Sequence, residues 1–259
     1  MQMPGKLPLT AVLITYNEAD RLEACLQSLW FCQAIVVVDS GSTDGTQALA
    51  AQAGAKVLQR PFDGFGPQKA WAVAQAQTDW VLCLDADERV TPALASAIGK
   101  AFEASLPKVA GFRLRRRFFF LGQELKHGGE TRQGYIRLFD KRRGNYNQAR
   151  VHEQVELDEA GPLLEGYLLH ESYRNLQDYL ERFNRYTTAG AQALYEKGKP
   201  APWYQIYLRF PFNFLRLLLG KGLLLDGYAG WVWAFLSSVY PVVKYAKLRE
   251  LYRGTEPKT

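Results

Sequence analysis

The sequence contains few cysteines and few histidines, three of each in 259 residues. Cys25, Cys32 and Cys83 are odd in number and have no metal-ligand spacing. This argues against a disulfide framework or a zinc site, and it fits a reducing compartment. Residues 1–8 contain no apolar run as long as a signal peptide needs, so we expect that the protein is not exported.

Two phosphate-binding motifs are also missing. The first predicted strand is followed by Thr15-Tyr-Asn-Glu18, where a dinucleotide-binding domain would have Gly-x-Gly-x-x-Gly. The phosphate loop that ends in Gly-Lys-Ser/Thr is absent as well. These absences argue against both of those nucleotide-binding classes.

Acidic residues are outnumbered by basic ones, 26 to 32, which gives a formal charge of +6 and a sequence pI near 9.1. This excess indicates an anionic partner, such as a nucleotide, a phospholipid surface or a phosphorylated glycan. Nucleic acid is disfavoured because the aromatic residues cluster in an apolar C-terminal segment and do not alternate with Lys and Arg on one face.

Short apolar runs alternate with helical patterns through the first half of the chain. The runs, rich in β-forming residues, cover residues 9–14, 35–38, 57–58 and 80–84. This alternation predicts an α/β fold with a mostly parallel central sheet flanked by helices. Strand-like patterns at 110–118, 135–139 and 151–156 and a helical stripe from Leu176 follow.

The run that starts at Trp80 ends in three carboxylates, Asp85, Asp87 and Glu88. Side chains alternate along a strand, so Asp85 and Asp87 are predicted to share one face at the carboxyl edge of the sheet. A divalent cation completed by substrate phosphates would neutralise such a pair. The alternative is an acidic cap on a helix that begins at Pro92. Asn17, Glu18 and Asp39 also follow predicted strands, and this joint placement favours a ligand site.

Several of these segments resemble the motif series of family 2 glycosyltransferases with the GT-A fold, the nucleotide-diphospho-sugar transferase fold. They are Thr15-Tyr-Asn-Glu18, Val37-Val-Asp-Ser-Gly-Ser-Thr-Asp-Gly-Thr46, Gln68-Lys69 and Asp85-Ala-Asp-Glu88. Gly64–Lys69, Val151-His-Glu153 and Leu225-Asp-Gly227 are similar to bacterial lipopolysaccharide core β-1,4-glucosyltransferases that act on heptose. One departure is Ala70, which stands where many relatives have Asn.

The resemblance implies an inverting, metal-dependent transfer of a hexose, expected to be glucose, from a UDP-sugar to a heptose of the lipopolysaccharide inner core. Glu153 matches the position of the base, and Mg²⁺ or Mn²⁺ would be held by Asp87 with Asp85 and His170. The expected donor-binding residues are Thr15, Tyr16, Asn17, Glu18, Asp39, Lys69, Asp85 and Ala86. Two alternatives stay open: a different acceptor (a polyprenyl phosphate, another glycan or a protein), or a catalytically silent, membrane-attached protein that binds nucleotide sugars.

Four residues are candidates for the acceptor site. Arg113 and Arg115 could bind an anionic acceptor through bidentate contacts, or they could belong to a charged, solvated edge strand. His127 and His152 are the other two, with a structural imidazole as the alternative for His152. His170 could equally be a buried, hydrogen-bonded histidine.

The breaker Lys197–Pro202 suggests a boundary between a catalytic domain, residues 1–198, and a helical appendage, residues 199–259. Within the first, we expect a donor half at about 1–105 and an acceptor half at about 106–198. The uncharged run Gly227–Val243 is short for a membrane span and contains Pro241, while aromatic residues mix with Lys and Arg. We therefore expect amphipathic helices attached peripherally to the cytoplasmic face of the bacterial inner membrane, with core packing or homo-oligomerisation as alternatives.

Overall fold

The computed structural model describes residues 5–103, 107–128, 134–149 and 153–255. The first elements are β1 (Leu7–Thr15), α1 (Ala19–Gln27), β2 (Cys32–Asp39), α2 (Thr46–Gln52), β3 (Lys56–Gln59), α3 (Phe65–Ala74), β4 (Trp80–Asp85), β5 (Glu88–Val90) and α4 (Pro92–Phe102). The later strands are β6 (Gly111–Leu114), β7 (Arg116–Phe120), β8 (Gln123–Leu125), β9 (Tyr135–Asp140), β10 (Gly144–Tyr146), β11 (Val155–Leu157) and β12 (Leu168–His170). The later helices are α5 (Leu176–Glu196), α6 (Trp203–Tyr207), α7 (Arg209–Leu215) and α8 (Gly227–Thr255).

The chain forms two compact units. The first comprises the described parts of 1–117 and 132–170, and the second those of 118–131 and 171–259. This grouping places α5 with the C-terminal helices, ahead of the expected boundary after residue 198.

The first unit is built on a six-stranded sheet in the order β3-β2-β1-β4-β9-β6. Its first four strands are parallel, whereas β9 is antiparallel to both β4 and β6. The prediction of an α/β fold with a mostly parallel sheet is confirmed. The antiparallel edge comes from β6 and β9, and the described residues between these two strands contain no helix.

Apolar layers cover both faces of this sheet, which is why its central strands β1, β2 and β4 are mostly apolar. On one face Leu13 and Trp80 belong to a cluster with Leu22 of α1 and Leu94 of α4. The other face has Val12, Val38, Val81 and Cys83, which cluster with Ala72 and Val73 of α3. The carboxyl ends of these strands, where the polar residues lie, are therefore supported by packed layers on both faces of the sheet.

The chain turns sharply where β4 ends. Asp85 is the last residue of β4, Ala86 and Asp87 form a turn, and β5 begins at Glu88. The prediction that Asp85 and Asp87 alternate along one strand is therefore wrong, because the strand ends before Asp87. The acidic-cap alternative is also wrong. The helix does begin at Pro92, but the hydroxyl of Thr91 caps it by accepting from the amide of Leu94.

Two strand predictions in the second half need adjustment. The pattern at 110–118 forms two strands, β6 and β7, interrupted at Arg115. The strand expected at 151–156 is β11, which begins at Val155, so Glu153 lies in the segment before it. Residue His152 lies outside the described residues.

The second unit has an aromatic core between a β-hairpin and helices. Phe118 and Phe120 of the hairpin pack against Trp233 of α8, with ring centroids 4.8 and 5.1 Å apart. Tyr179 of α5 lies 5.6 Å from Phe120 and 6.0 Å from Trp233. Among the described residues, no helix is both long and apolar enough to traverse a bilayer.

Candidate active site

Asp39 is fully buried at the end of β2, beneath the loop that follows it. Its carboxylate accepts hydrogen bonds from the side chains of Thr15 (2.9 Å), Ser42 and Gln47 (2.7 Å) and from the amides of Gly41 (3.0 Å) and Ser42 (2.8 Å). Burial raises the pKa of Asp39, but these hydrogen bonds outweigh burial and hold the pKa below its usual value. Five donors use the full accepting capacity of a carboxylate, so Asp39 anchors the loop. The base of a sugar nucleotide could contact Asp39 only if one of these hydrogen-bonding groups, such as the side-chain amide of Gln47, moved away.

The loop after β1 is joined to the loop after β2. Asn17, with a left-handed φ of 54°, donates its amide to the Ser42 hydroxyl (2.8 Å), and its side-chain oxygen accepts from the Thr43 amide (2.9 Å). The amide of Glu18 donates to the hydroxyl of Thr46 at 3.0 Å. These bonds explain the polar sequence at both strand ends: the two loops hold each other in place at the carboxyl edge.

Lys69 is the centre of a buried ionic cluster. It lies on α3, where a helical glycine, Gly66, permits close approach to the backbone at Ala149. Its ammonium lies 2.8 Å from Oδ1 of Asp85 and 2.7 Å from Oε1 of Glu153. The structure therefore brings together three residues predicted from separate motifs, and Lys69 bridges the two carboxylates.

Arg137, on β9, completes the cluster from the other side. Its Nη2 lies 2.9 Å from Oδ2 of Asp85 and 3.4 Å from Oε1 of Glu88, and its Nη1 donates to the hydroxyl of Tyr146 at 3.3 Å. Each oxygen of Asp85 thus faces a different cation. Glu88, fully buried, also accepts from the amide of Asp85 at 3.1 Å, which fixes the turn.

These contacts set the charge states of Asp85 and Lys69. Burial opposes the ionised form of Asp85, but Lys69 and Arg137 outweigh it and hold the pKa of Asp85 well below its usual value. Burial likewise opposes the charged form of Lys69, but Asp85, with a smaller contribution from Glu153, raises the pKa of Lys69 above its usual value. Asp85 and Lys69 are therefore both ionised at neutral pH.

Asp87 has different neighbours. Its Oδ2 lies 3.5 Å from Nε2 of His170 on β12 and 3.6 Å from Nη1 of Arg21 on α1. Burial raises the pKa of Asp87, but the hydrogen bond and charge of His170 outweigh burial and lower it. Its other oxygen, Oδ1, is buried and accepts no hydrogen bond from the described residues. A buried carboxylate oxygen without a partner costs about 1–3 kcal/mol, so it marks a position prepared for a ligand.

Asp87 and His170 fit a divalent cation that the substrate completes. In the described part of the chain, no three His, Cys, Asp or Glu side chains are grouped to form a metal cage. A cage is not needed for Mg²⁺ bound to a phosphate substrate, because one or two carboxylates plus phosphate oxygens suffice. Asp87 supplies one such carboxylate through Oδ1, and the imidazole of His170, which contacts the other oxygen of Asp87, adds a nitrogen ligand.

Comparisons with known proteins identify the family. The model described as glycosyl transferase family 2 matches residues 10–154. The lipopolysaccharide core biosynthesis glycosyltransferase LpsC of Rhizobium meliloti (strain 1021) is 33% identical over 253 residues, which cover 95% of this chain and 93% of LpsC. An uncharacterized glycosyltransferase of Rickettsia typhi is 26% identical over 254 residues, or 94% and 87% of the two chains. The chain belongs to glycosyl transferase family 2.

Solved structures give a more distant likeness. A crystal structure of glucosyl-3-phosphoglycerate synthase from Mycobacterium tuberculosis, in complex with Mn²⁺, uridine diphosphate and glucosyl-3-phosphoglycerate, has 21% identity and a TM-score of 0.35. The likeness covers 47% of this chain and 51% of that chain, about half of each. The family assignment and the observed sheet together confirm the expected GT-A fold.

The other residues that the sequence predicts for the active site lie in different surroundings. Tyr16 is largely exposed, whereas the side chain of Ala86 is buried in the core. Arg113 is exposed on the edge strand β6. Arg115 lies between strands, and its carbonyl accepts from the amide of Leu168. The roles of Arg113 and Arg115 in acceptor binding stay predictions.

His127 belongs to the second unit. Its Nδ1 lies 2.8 Å from Oδ1 of Asp226, and its amide donates to Oδ2 of Asp226 at 2.9 Å. Asp226 is nearly fully buried, so this pair fixes the loop that carries His127.

Three cationic side chains of the site were not predicted from the sequence. Arg137 contacts Asp85, Arg21 lies near Asp87, and Arg116 lies 3.8 Å from Glu88. A signal for Arg137 was present, because it is the one charged residue in the strand pattern Tyr135-Ile-Arg-Leu-Phe139. A buried charge in an apolar strand requires a partner, and the carboxylates of β4 are the nearest candidates in the sheet.

Proposed function

We propose that this family 2 glycosyltransferase transfers a hexose, most simply glucose, from a UDP-sugar to a heptose of a lipopolysaccharide inner core, with inversion. The Oδ1 of Asp87, which has no partner among the described residues, carries the proposal, because it offers a carboxylate ligand for a cation at a residue that also contacts His170. The acceptor class is taken from the similarity to LpsC, which is named for lipopolysaccharide core biosynthesis.

Asp87 and His170 would hold a Mg²⁺ or Mn²⁺ ion, which when bound offsets the negative charge of the donor diphosphate. Asp87 is suited to this role because the pKa of its carboxyl is lowered, so it is ionised at neutral pH. The nearby guanidinium of Arg21 adds positive charge on the same side. These groups act where charge develops on the leaving group, which is where stabilisation contributes most.

Glu153 would act as the base. Its carboxylate takes the proton of the acceptor hydroxyl while that oxygen forms a bond to the anomeric carbon of the donor. The bond from the anomeric carbon to the diphosphate breaks, and its electron pair leaves on the diphosphate oxygen. Lys69 holds Oε1 of Glu153 at 2.7 Å, so the direction of the carboxylate is fixed by the helix α3.

Asp85 would act by positioning two cationic side chains of the site. Its oxygens face Lys69 and Arg137, so its carboxylate positions both side chains. In this arrangement Asp87, not Asp85, is the main metal ligand. Thr15, Asn17 and Asp39 would support the loops that receive the nucleoside.

The test measures release of nucleoside diphosphate from a panel of nucleotide sugars by the full chain, with Mg²⁺, Mn²⁺ or a chelator. An inner-core oligosaccharide ending in heptose serves as the acceptor, and the anomeric configuration of the product is read by NMR. We expect metal-dependent transfer from a UDP-hexose with inversion. Donor binding without turnover for any acceptor would instead identify a silent binding protein.

Two variants separate the proposed roles. Asp87→Asn should abolish the metal dependence of donor binding, and Glu153→Gln should retain donor binding but lower the transfer rate by about 10²–10⁴-fold. Gln can still accept from Lys69, so the geometry of the cluster is preserved. Asp79→Asn, which changes a half-exposed carboxylate paired with Arg142, is the matched control and should leave both steps unchanged. Transfer by Glu153→Gln at the wild-type rate would refute the base assignment.

A further inference from the structure

A stripe of large apolar side chains runs along the outer side of α7 and the turns that flank it. Leu208, Phe212, Leu215 and Leu219 follow one another at intervals of four, three and four residues, which places them on one helical face. Each is more than half exposed, and Phe212 reaches 67%. The opposite side of the same helix is packed, since Phe210 and Phe214 contact aromatic residues of α8. The exposed stripe is therefore not the core-facing side of the helix.

A second set of exposed apolar residues begins just after this helix. Leu224 and Leu225 lie in a short 3₁₀ helix, Leu223–Asp226, and are 52% and 76% exposed. Tyr228 and Trp231 follow at the start of α8, and Tyr228 is 74% exposed. Soluble surfaces usually expose such residues singly, whereas here they are consecutive along the chain.

Aromatic contacts pack α7, which carries part of the first set, against the start of α8, which carries part of the second. Phe214 of α7 lies 5.8 Å from Trp231 of α8, and Phe210 of α7 lies 5.6 Å from Phe235 of α8. Trp231 and Phe235 stack on each other at 5.6 Å. We call the exposed residues of this region the apolar–basic face: Leu208, Arg209, Phe212, Leu215, Arg216, Leu219, Lys221, Leu224, Leu225, Tyr228 and Trp231.

The exposed charge of this region has a single sign. Segment 197–249 contains the cations Lys197, Lys199, Arg209, Arg216, Lys221, Lys244, Lys247 and Arg249. Its one acidic residue is Asp226, which is 4% exposed and bonded to His127. Arg209, Arg216 and Lys221 are exposed among the apolar residues. The face therefore presents hydrophobic area and positive charge without exposed carboxylates.

We propose that the apolar–basic face docks on a membrane surface that contains anionic lipid. Large apolar side chains would enter the boundary between headgroups and acyl chains, while Arg209, Arg216 and Lys221 would contact lipid phosphates. A second copy of the chain fits less well. Self-association through a shared face would bring these cations against their own copies, and the segment offers no exposed carboxylate to compensate them. This inference concerns the second unit and does not depend on the proposed reaction.

The experiment is sedimentation of the full chain with vesicles of phosphatidylcholine, with and without phosphatidylglycerol. We expect binding to the vesicles that contain phosphatidylglycerol, and we expect it to weaken as salt is raised. The triple variant Arg209→Gln/Arg216→Gln/Lys221→Gln should lower vesicle affinity about a hundredfold. The matched control Lys56→Gln/Lys100→Gln/Lys108→Gln removes the same charge from exposed sites of the first unit and should change affinity little.

The apolar part of the face is tested with Phe212→Ser/Leu215→Ser, which should lower affinity by about tenfold or more. Phe62→Ser, at a half-exposed site of the first unit, is its control. Donor hydrolysis by every variant reports folding and the separate reaction at the first unit. Equal binding by the triple variant and its control would overturn the proposal. So would a dimer, seen by sedimentation equilibrium, that Phe212→Ser/Leu215→Ser dissociates while the wild type binds no vesicle.

Discussion

Lys69→Met tests whether Lys69 is the electrostatic centre of the site. The substitution removes a buried ammonium that faces Asp85 at 2.8 Å and Glu153 at 2.7 Å, while Met keeps most of the side-chain volume. With an effective dielectric constant of about 20, each contact amounts to about 6 kcal/mol of Coulomb attraction before desolvation. Desolvation offsets most of this gain. Removing one partner of a buried pair therefore costs about 3–5 kcal/mol.

The source of that cost can be isolated with a double-mutant cycle. Glu153→Gln neutralises one of the two carboxylates that Lys69 bridges, so less uncompensated charge remains when Lys69 is then replaced. We expect the double variant Lys69→Met/Glu153→Gln to be more stable than the sum of the single losses predicts, by about 1–3 kcal/mol. Arg137 still faces Asp85 in every variant, which keeps the other half of the cluster constant.

The assay is urea unfolding followed by circular dichroism, with the free energy of unfolding obtained for the four proteins of the cycle. Lys56→Met, at an exposed lysine, is the control and should change stability by less than about 0.5 kcal/mol. If the losses of Lys69→Met and Glu153→Gln add within about 0.5 kcal/mol, the two residues are not coupled, and the positioning of Glu153 by Lys69 is refuted.

Four further predictions concern the rest of the site. Asp39→Ala leaves five donors without their acceptor and should cost about 3–5 kcal/mol in urea unfolding. Because the folded-state pKa of Asp39 is lowered, its ionised carboxylate stabilises the fold above about pH 4, and this stabilisation is lost as the pH falls below that value. In Asp39→Asn, the free energy of unfolding should therefore fall less steeply as the pH is lowered. Mn²⁺ should raise the melting temperature of the wild type but not of Asp87→Asn, and an equal rise in both would contradict the metal role. Gly66→Ala places a Cβ 2.2 Å from the carbonyl oxygen of Asn147 and should destabilise the protein by more than about 1 kcal/mol, whereas Gly5→Ala, with open space around it, should not.

The strands and the edge of the sheet that carries the site could be predicted from local patterns. Each apolar run, such as Ile35–Val38, became a strand, and the polar residues after it meet at one edge because the strands are parallel. Asp39 and Asp85 were found this way. The pairing of Lys69 with Glu153 was not predictable from spacing, because 84 residues separate them and the contact depends on how α3 meets the chain before β11.

The turn after β4 explains why the alternation of side chains along a strand did not predict the position of Asp87. Alternation holds only while the backbone is extended, and β4 ends at Asp85. Asp87 lies in the turn, so its side chain meets Arg21 and His170, not the cations of Asp85. No periodicity of the sequence marks this turn, and Ala86 at its centre is not one of the residues that favour turns.

The separate neighbours of Asp85 and Asp87 explain how one short motif can serve two purposes. Asp85 is paired with Lys69 and Arg137, and a carboxylate so engaged would lose both pairs if it also bound a cation. Asp87 retains an oxygen without a partner among the described residues, so binding a cation there removes an existing cost while its other oxygen keeps the contact with Arg21. Replacing the charged carboxylate with a neutral amide should therefore have different consequences at the two positions. Asp85→Asn should weaken the fold around Lys69, whereas Asp87→Asn should leave the fold intact and remove the response to the metal.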